Sequence, residues 1–364
     1  MDLRFDQGQT MPRFPLSHIV STLPILLLSL SCTEPAGPAE DPQPDPKPER
    51  SWETLTNAPL ALNRKHDDLF FVNERVGWVV TRNGFIFKTS NGGEQWTPQY
   101  SGPQFFRAVG FADSLRGWAA NLQGDDGDVL YRTTNGGTVW TLVTNIPEPS
   151  PPGICGISVV DTQTVFMAGR LQGPAIIIKS LDGGATWQSI DMREKAGMLI
   201  DIYFRSKTEG IVVGGTSSSL ESSRMLLLQT SDGGLTWEPR FTGTRPGEWG
   251  WKISFPTQQI GYVSIQTSPS DRSAQEYFLK TVNGGISWSE VRFSTTHYSS
   301  QGIGFITPDV GWMGSYHPEI PTLKTTDGGT TWKEDGYGTM NRFRFLDGRI
   351  GYAAGSTVFK IVLE

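Results

Sequence analysis

Residues 325–332 read Thr325-Thr326-Asp327-Gly328-Gly329-Thr330-Thr331-Trp332, one of six copies of the pattern Thr/Ser-x-Asn/Asp-Gly-Gly-x-x-Trp. The others are Thr89-Ser90-Asn91-Gly92-Gly93 with Trp96, Thr133-Thr134-Asn135-Gly136-Gly137 with Trp140, and Ser180-Leu181-Asp182-Gly183-Gly184 with Trp187. Thr230-Ser231-Asp232-Gly233-Gly234 with Trp237 and Thr281-Val282-Asn283-Gly284-Gly285 with Trp288 complete the set. Successive tryptophans lie 44, 47, 50, 51 and 44 residues apart. A period of this length marks supersecondary units that bury their apolar faces by stacking on one another.

The pattern has the chemistry of a turn. Asn-Gly and Asp-Gly between apolar runs favour a two-residue hairpin with positive φ, which glycine adopts without steric cost. The Asn/Asp oxygen and the Thr/Ser hydroxyl accept bonds from nearby backbone amides. The tryptophan then opens the next strand and buries its ring against the hairpin. Asn91, Asn135 and Asn283 share the position with Asp182, Asp232 and Asp327. The site therefore needs an acceptor oxygen, not a charge, which argues against calcium or acid–base chemistry there.

A second landmark recurs: an aromatic residue, then six positions on a Gly-aromatic or similar pair. Phe71 leads to Gly77-Trp78, Phe111 to Gly117-Trp118, Phe204 to Gly210-Ile211 and Phe255 to Gly261-Tyr262. Phe305 leads to Gly311-Trp312 and Phe345 to Gly351-Tyr352, with a looser pair at Val159 and Val165-Phe166. That makes seven units for six turns, because the last unit holds three strand-like runs and stops. Trp52, 44 residues before Trp96, marks the orphaned outer strand. Letting that strand complete the last blade leaves no blade open. The expected fold is all-β: a seven-bladed β-propeller over residues 51–364, with a six-bladed ring as the structural alternative. No window shows a sustained helical period.

Residues 1–32 read as a targeting segment, with the start at Met1 or Met11 and an apolar stretch from Ile19 to Ser31 too short to span a bilayer. Cys32 after a small residue resembles a bacterial lipobox, so lipidation at Cys32 and a membrane anchor facing the periplasm or cell surface are expected. Residues 33–50 hold six prolines and five acids and read as a solvated tether. Cys155 is then a core thiol without a disulfide partner. The net charge of −6 and the absence of a basic run give no sign of nucleic-acid binding.

These repeats resemble the Asp-box (BNR) repeat, and the Phe…Gly-Trp…Lys-Thr-x-Asp/Asn-Gly-Gly-x-x-Trp register is most similar to the Ycf48/Hcf136 family of photosystem II assembly factors. The resemblance covers the chain from residue 51 onward. It implies a non-catalytic propeller that binds a protein client. Asp-box propellers also include sialidases, xyloglucan-cleaving glycosidases and sortilin-type receptors, so glycan binding or glycoside hydrolysis is the alternative. The family's arginine patch has no local motif that carries it onto particular residues here.

Counting back from the landmarks places seven pairs around the central channel: Asp67/Asp68, Arg107/Ala108, Cys155/Gly156, Ile200/Asp201, Trp251/Lys252, Gln301/Gly302 and Asn341/Arg342, with Arg344 nearby. They form either a polar funnel for an extended peptide or sugar, or a set of charges that pair with one another and meet water. Trp249 and Trp251 offer exposed aromatics to a ligand, or else pack between blades. Insertions at Ser217–Ser223, Gln266–Glu276 and Ser315–Pro321 are expected as loops on the same face.

Catalysis has little support. Asp67 and Asp68 come from blade 1 and Asp201 from blade 4, across the ring, whereas two-carboxylate hydrolysis needs a pair about 5 to 9.5 Å apart. His66, His297 and His317 lack metal-ligand spacing. No serine elbow or phosphate loop stands out. The expectation is a monomeric, cofactor-free and metal-free protein whose partner is a protein client or a glycan.

Overall fold

The computed structural model describes residues 52–61, 65–124, 127–268, 270, 275–317, 319–338 and 340–363. The expected leader, Cys32 and the tether lie outside them. The described residues form seven four-stranded antiparallel sheets and no helix. They are the blades of a seven-bladed β-propeller. The inner strands are His66–Phe71, Phe106–Phe111, Gly156–Val159, Met198–Phe204, Glu248–Ser254, Ser300–Phe305 and Met340–Phe345. Each touches the next, and the last touches the first.

The ring closes by pairing the two ends of the propeller. Glu53–Thr54 lies antiparallel to Val358–Val362, with Glu53 opposite Lys360 and Thr54 opposite Phe359. The Leu55 amide donates to the Val358 carbonyl at 3.0 Å. Trp52, 2% exposed, packs edge-on against Trp312 at 5.1 Å and reaches Phe345 at 6.3 Å. It thus fills in blade 7 the place that Trp96 fills against Phe71 in blade 1. The expected N-terminal strand is shorter than drawn from sequence; Ser51 lies outside the described residues.

The Phe and Gly landmarks explain one another. Phe71 sits opposite Gly77 across the first two strands of its blade, and a Cβ on that glycine would lie 2.5 Å from the ring. The glycine's bare Cα lets the ring lie flat. Its other face then receives an aromatic from the preceding blade: Tyr352 stacks on Phe71 at 3.5 Å and Trp78 on Phe111 at 3.4 Å. Phe166 on Phe204 and Tyr262 on Phe305 repeat the contact at 3.5 Å. Such pairs are worth about 0.5–1.5 kcal/mol beyond their burial. The looser unit is the exception that fits: Val159 replaces the ring, and its cross-strand partner is Val165 in place of glycine.

The Asp-box turns differ from the expected two-residue hairpin. Thr97 pairs with Lys88, so the connection runs through eight residues, 89–96, and the tryptophan ends the loop where it was expected to open the strand. Side-chain oxygens hold the longer loop. The Thr89 hydroxyl accepts from the Gly93 amide at 2.9 Å and donates to Asn91 Oδ1 at 3.0 Å, which accepts from the Gln95 amide at 3.0 Å. Both glycines take positive φ, 76° and 95° in blade 1. Five of the six turns are also capped by a cation of the preceding blade. Lys88 donates to the Gly136 carbonyl, Lys179 to Gly233 and Lys280 to Gly328, at 2.8 to 2.9 Å. Arg132 does the same to Gly184 at 3.3 Å. Blade 4 carries Gln229 at that position, and Arg205 from its first connection donates to Gly284 at 2.6 Å instead.

Candidate functional site

The channel residues owe their direction to a backbone irregularity. In six of the seven inner strands the pairing slips by one residue: at Asp67, Arg107, Ile200, Trp251–Lys252, Gln301 and Asn341. A bulge puts two residues opposite one and re-aims the side chains beside it. Six of the seven pairs counted from sequence are the bulged positions and their neighbours; the seventh, Cys155/Gly156, lies at the start of the strand without a bulge. No local composition marks the bulge; only the alignment of repeats locates it.

What the bulges bring together is a closed ionic network. Arg107 Nη1 meets Asp67 Oδ1 at 2.8 Å. Arg342 spans the ring, with Nε 2.8 Å from Asp68 Oδ1 and Nη1 3.0 Å from Asp201 Oδ2. Blades 1 and 4 are therefore only a guanidinium apart at this level. Arg344 Nη2 approaches Asp68 Oδ2 at 3.6 Å, and Lys252 Nζ lies 3.8 Å from Asp201 Oδ1. Asp68 also accepts the Val109 amide and Asp201 the Ile253 amide, each at 3.1 Å. Asp67, Asp68, Arg107, Asp201, Lys252, Gln301 and Arg342 are all 5% exposed or less. The open polar funnel is therefore replaced by paired, buried charges.

Burial is the largest single influence and by itself would raise Asp68 and Asp201, but Arg342, Arg344, Lys252 and a backbone amide together outweigh it and hold both carboxyls below the usual range. Neither can serve as the protonated general acid that glycoside hydrolysis requires. A second cluster has the order of a hydrolase triad: Ser299 Oγ bonds His297 Nε2, and His297 Nδ1 lies 3.2 Å from Glu276 Oε1. Its carboxylate is occupied by the Tyr298, Ser299 and Ser300 amides at 3.1, 2.8 and 3.2 Å. Ser299 is itself buried. This is a clasp for the loop entering blade 6. Among the described residues no three potential ligands converge on a metal position.

The tryptophan pair is not available for stacking on a ligand. Trp249 and Trp251 pack with Cys155, Met198 and Ile200 in one buried cluster, and the Arg107 guanidinium covers the Trp251 ring at 4.9 Å. The insertions are smaller than expected. Gln266 and Thr267 continue a strand, Glu276 opens one and Ser315 closes one. Ser217–Ser223 does form a loop, and Glu221 in it accepts bonds from Ser268 and Ser270 of blade 5. Two residues that the repeat count passed over reach the channel mouth. Lys65 bonds Gln301 Oε1 and lies 3.8 Å from Asp67, and the exposed Tyr316 ring sits 5.7 Å from its ammonium. Lys65 lies just before an inner strand and Tyr316 just after the second strand of blade 6, where the landmark count does not reach.

No family model matches the chain. Among curated proteins it is 24% identical to the photosystem II assembly lipoprotein Ycf48 of Synechococcus sp. (strain CC9902), over 345 residues that cover 91% of each chain. A solved structure of YCF48 bound to D1 peptide superposes with a TM-score of 0.64 and 19% identity, covering 87% of this chain and 96% of that one. An ancestral GH74 enzyme gives a TM-score of 0.62 at 16% identity, covering 86% of this chain but 46% of the enzyme. The chain is a seven-bladed propeller of Asp-box pattern that resembles the Ycf48/Hcf136 proteins over nearly its whole length.

Proposed function

We propose that this propeller is the client-binding domain of a non-catalytic assembly factor of the Ycf48 kind, exported, anchored through Cys32 and monomeric. The observation that carries the reading is the end-to-end match to a photosystem II assembly lipoprotein, with 91% of both chains aligned. A solved YCF48 is bound to D1 peptide, which supports an extended peptide segment as the client class. The ionic network supports binding at the rim, since the ring beneath it is closed by its own charges. Arg82, stacked on Phe105 at 4.7 Å, and the exposed Tyr316 ring are the rim groups offered to such a segment.

Fluorescence anisotropy of a labelled D1 peptide against the full-length protein tests this. Saturable binding is expected, weakened roughly tenfold by Tyr316→Ala or Arg82→Glu, as for one interface anchor. A peptide that does not bind, or release of reducing ends from xyloglucan, overturns the reading.

A further inference from the structure

The charges inside the channel do not cancel. Five cationic groups, Lys65, Arg107, Lys252, Arg342 and Arg344, face three carboxylates, Asp67, Asp68 and Asp201. The short pairs go to Arg107 and Arg342. Lys65, partly exposed, bonds the neutral Gln301 Oε1 and has its carboxylate at 3.8 Å, whereas the buried Lys252 has no carboxylate oxygen nearer than 3.8 Å. Around Lys252 stand Asp201 of blade 4, Arg342 of blade 7, Arg107 of blade 2 and Asp68 of blade 1, with the Cys155 thiol of blade 3 in the same group. Around Lys65 stand Asp67, Arg107, Lys252 and Arg82. Burying a cation without a close partner costs several kcal/mol.

Spare donors adjoin the excess charge. The Trp251 indole N–H, buried beside Arg107, has no protein acceptor, and the Trp249 N–H in the same cluster has none either. Asp67 Oδ2 and Asp201 Oδ1 lack hydrogen-bond donors from the protein. A ring whose lining is this enclosed cannot admit a large ligand. We propose that the channel binds a small monovalent inorganic anion of the chloride class, seated among Lys65, Arg107 and Lys252 with Trp251 at its edge.

The binding is linked to protons. Burial pushes Lys65 and Lys252 down to about 7, against the pull of Asp67 and Asp201. Above that pH the ammonium groups lose their protons and the attraction for an anion falls; below it the full charge is present. Anion uptake therefore carries proton uptake.

The test is the thermal midpoint of the full-length protein in rising chloride, with ionic strength held constant by gluconate. The expected result is a saturable rise in Tm, following mass action for a ligand of the folded state. The apparent affinity should weaken by up to roughly tenfold per pH unit above pH 7, as one linked proton requires. Bromide should quench tryptophan fluorescence saturably over the same range. Lys252→Met should remove the chloride dependence, and Lys65→Met should weaken it. Equal midpoints in chloride and gluconate, or a Lys252→Met protein that responds as the wild type does, overturn the proposal. Should Lys252→Met fail to fold, the bromide titration of wild type against Lys65→Met decides it.

Discussion

Six of the seven blades have an outer turn and six have an inner bulge, and the two ends obey different rules. The outer turn repeats its chemistry six times, hydroxyl to Asn/Asp oxygen and oxygen to the amide four residues after it, and in five of the six the tryptophan packs against the ring of the same blade. The inner bulge repeats only its backbone. Its bulged side chains are Asp, Arg, Ile, Trp, Gln and Asn in turn, and those that are charged form ion pairs in the channel together with their neighbours Asp68, Asp201, Lys252 and Arg342. Identical positions therefore hold the ring together, whereas the non-identical ones determine what its centre can bind.

The contrast implies that the centre fails as a unit and the periphery fails piecemeal. Arg342→Met is the severest test, because one side chain serves two buried carboxylates from different blades. Removing it should cost roughly 3 kcal/mol at pH 7, the size expected when a buried pair loses one member. The sign with pH follows from the direction of the shifts. In wild type Asp68 and Asp201 are held low, so their contribution is present above the ordinary carboxylate range and lost as pH falls through the depressed values. In the variant, burial without the guanidinium raises them, and the deficit should shrink as pH drops toward 4. Urea midpoints across pH check this; a deficit independent of pH would break the network reading.

Next in size is the Phe–Gly pair. Gly77→Val drives a side chain into Phe71, which Tyr352 pins from its other face, and should cost about 2 kcal/mol as overpacking. Adding Phe71→Val should recover part of that loss, since Val159 opposite Val165 already builds blade 3 without a ring. A double-mutant cycle with no coupling would mean the glycine serves only backbone freedom.

The periphery was legible in the sequence because its chemistry is local. Six turns, six Phe–Gly pairs and the spacing of Trp52 fix the blade number and the closure, since each device sits within one repeat or exactly one repeat away. The turn length was misread because Asn-Gly and Asp-Gly suggest a two-residue hairpin, while the Thr and Asn/Asp oxygens close a longer loop. The centre was legible only by position. Asp68 and Asp201 lie 133 residues apart in a sequence that gives no sign that Arg342 joins them. Trp249 and Trp251 read either as ligand platforms or as packing between blades, because nothing local shows that Met198 and Cys155 cover them.

Between centre and periphery stand the inter-blade caps. Lys179→Met removes the ammonium that donates to the Gly233 carbonyl and should cost about 1 kcal/mol, one hydrogen bond's net worth. The same change at Gln229→Met should be nearly silent, because Arg205 already caps that junction. Equal losses at the two sites would show that these residues act through packing and not through the carbonyl.

The smallest effect should come from exchanging acid for amide within a turn. Asp182, Asp232 and Asp327 each accept a Thr hydroxyl at 2.6 Å through the second oxygen, and it is chiefly this bond that holds them at about 2. Where the residue is Asn283 the same position carries Ser287, and the amide donates to that hydroxyl instead. A hydroxyl can donate or accept, so it tolerates either partner. Asp232→Asn should therefore leave the neutral-pH midpoint unchanged while Asp232→Ala lowers it, because only the alanine loses the oxygen that accepts the Thr236 amide at 2.9 Å. As pH falls below the ordinary carboxylate range and through about 2 the wild-type acid loses its contribution, and the amide does not. The Asp232→Asn protein should then become the more stable of the two. If it falls behind at neutral pH, the negative charge itself matters, and the turns would join the centre as positions where identity governs more than shape.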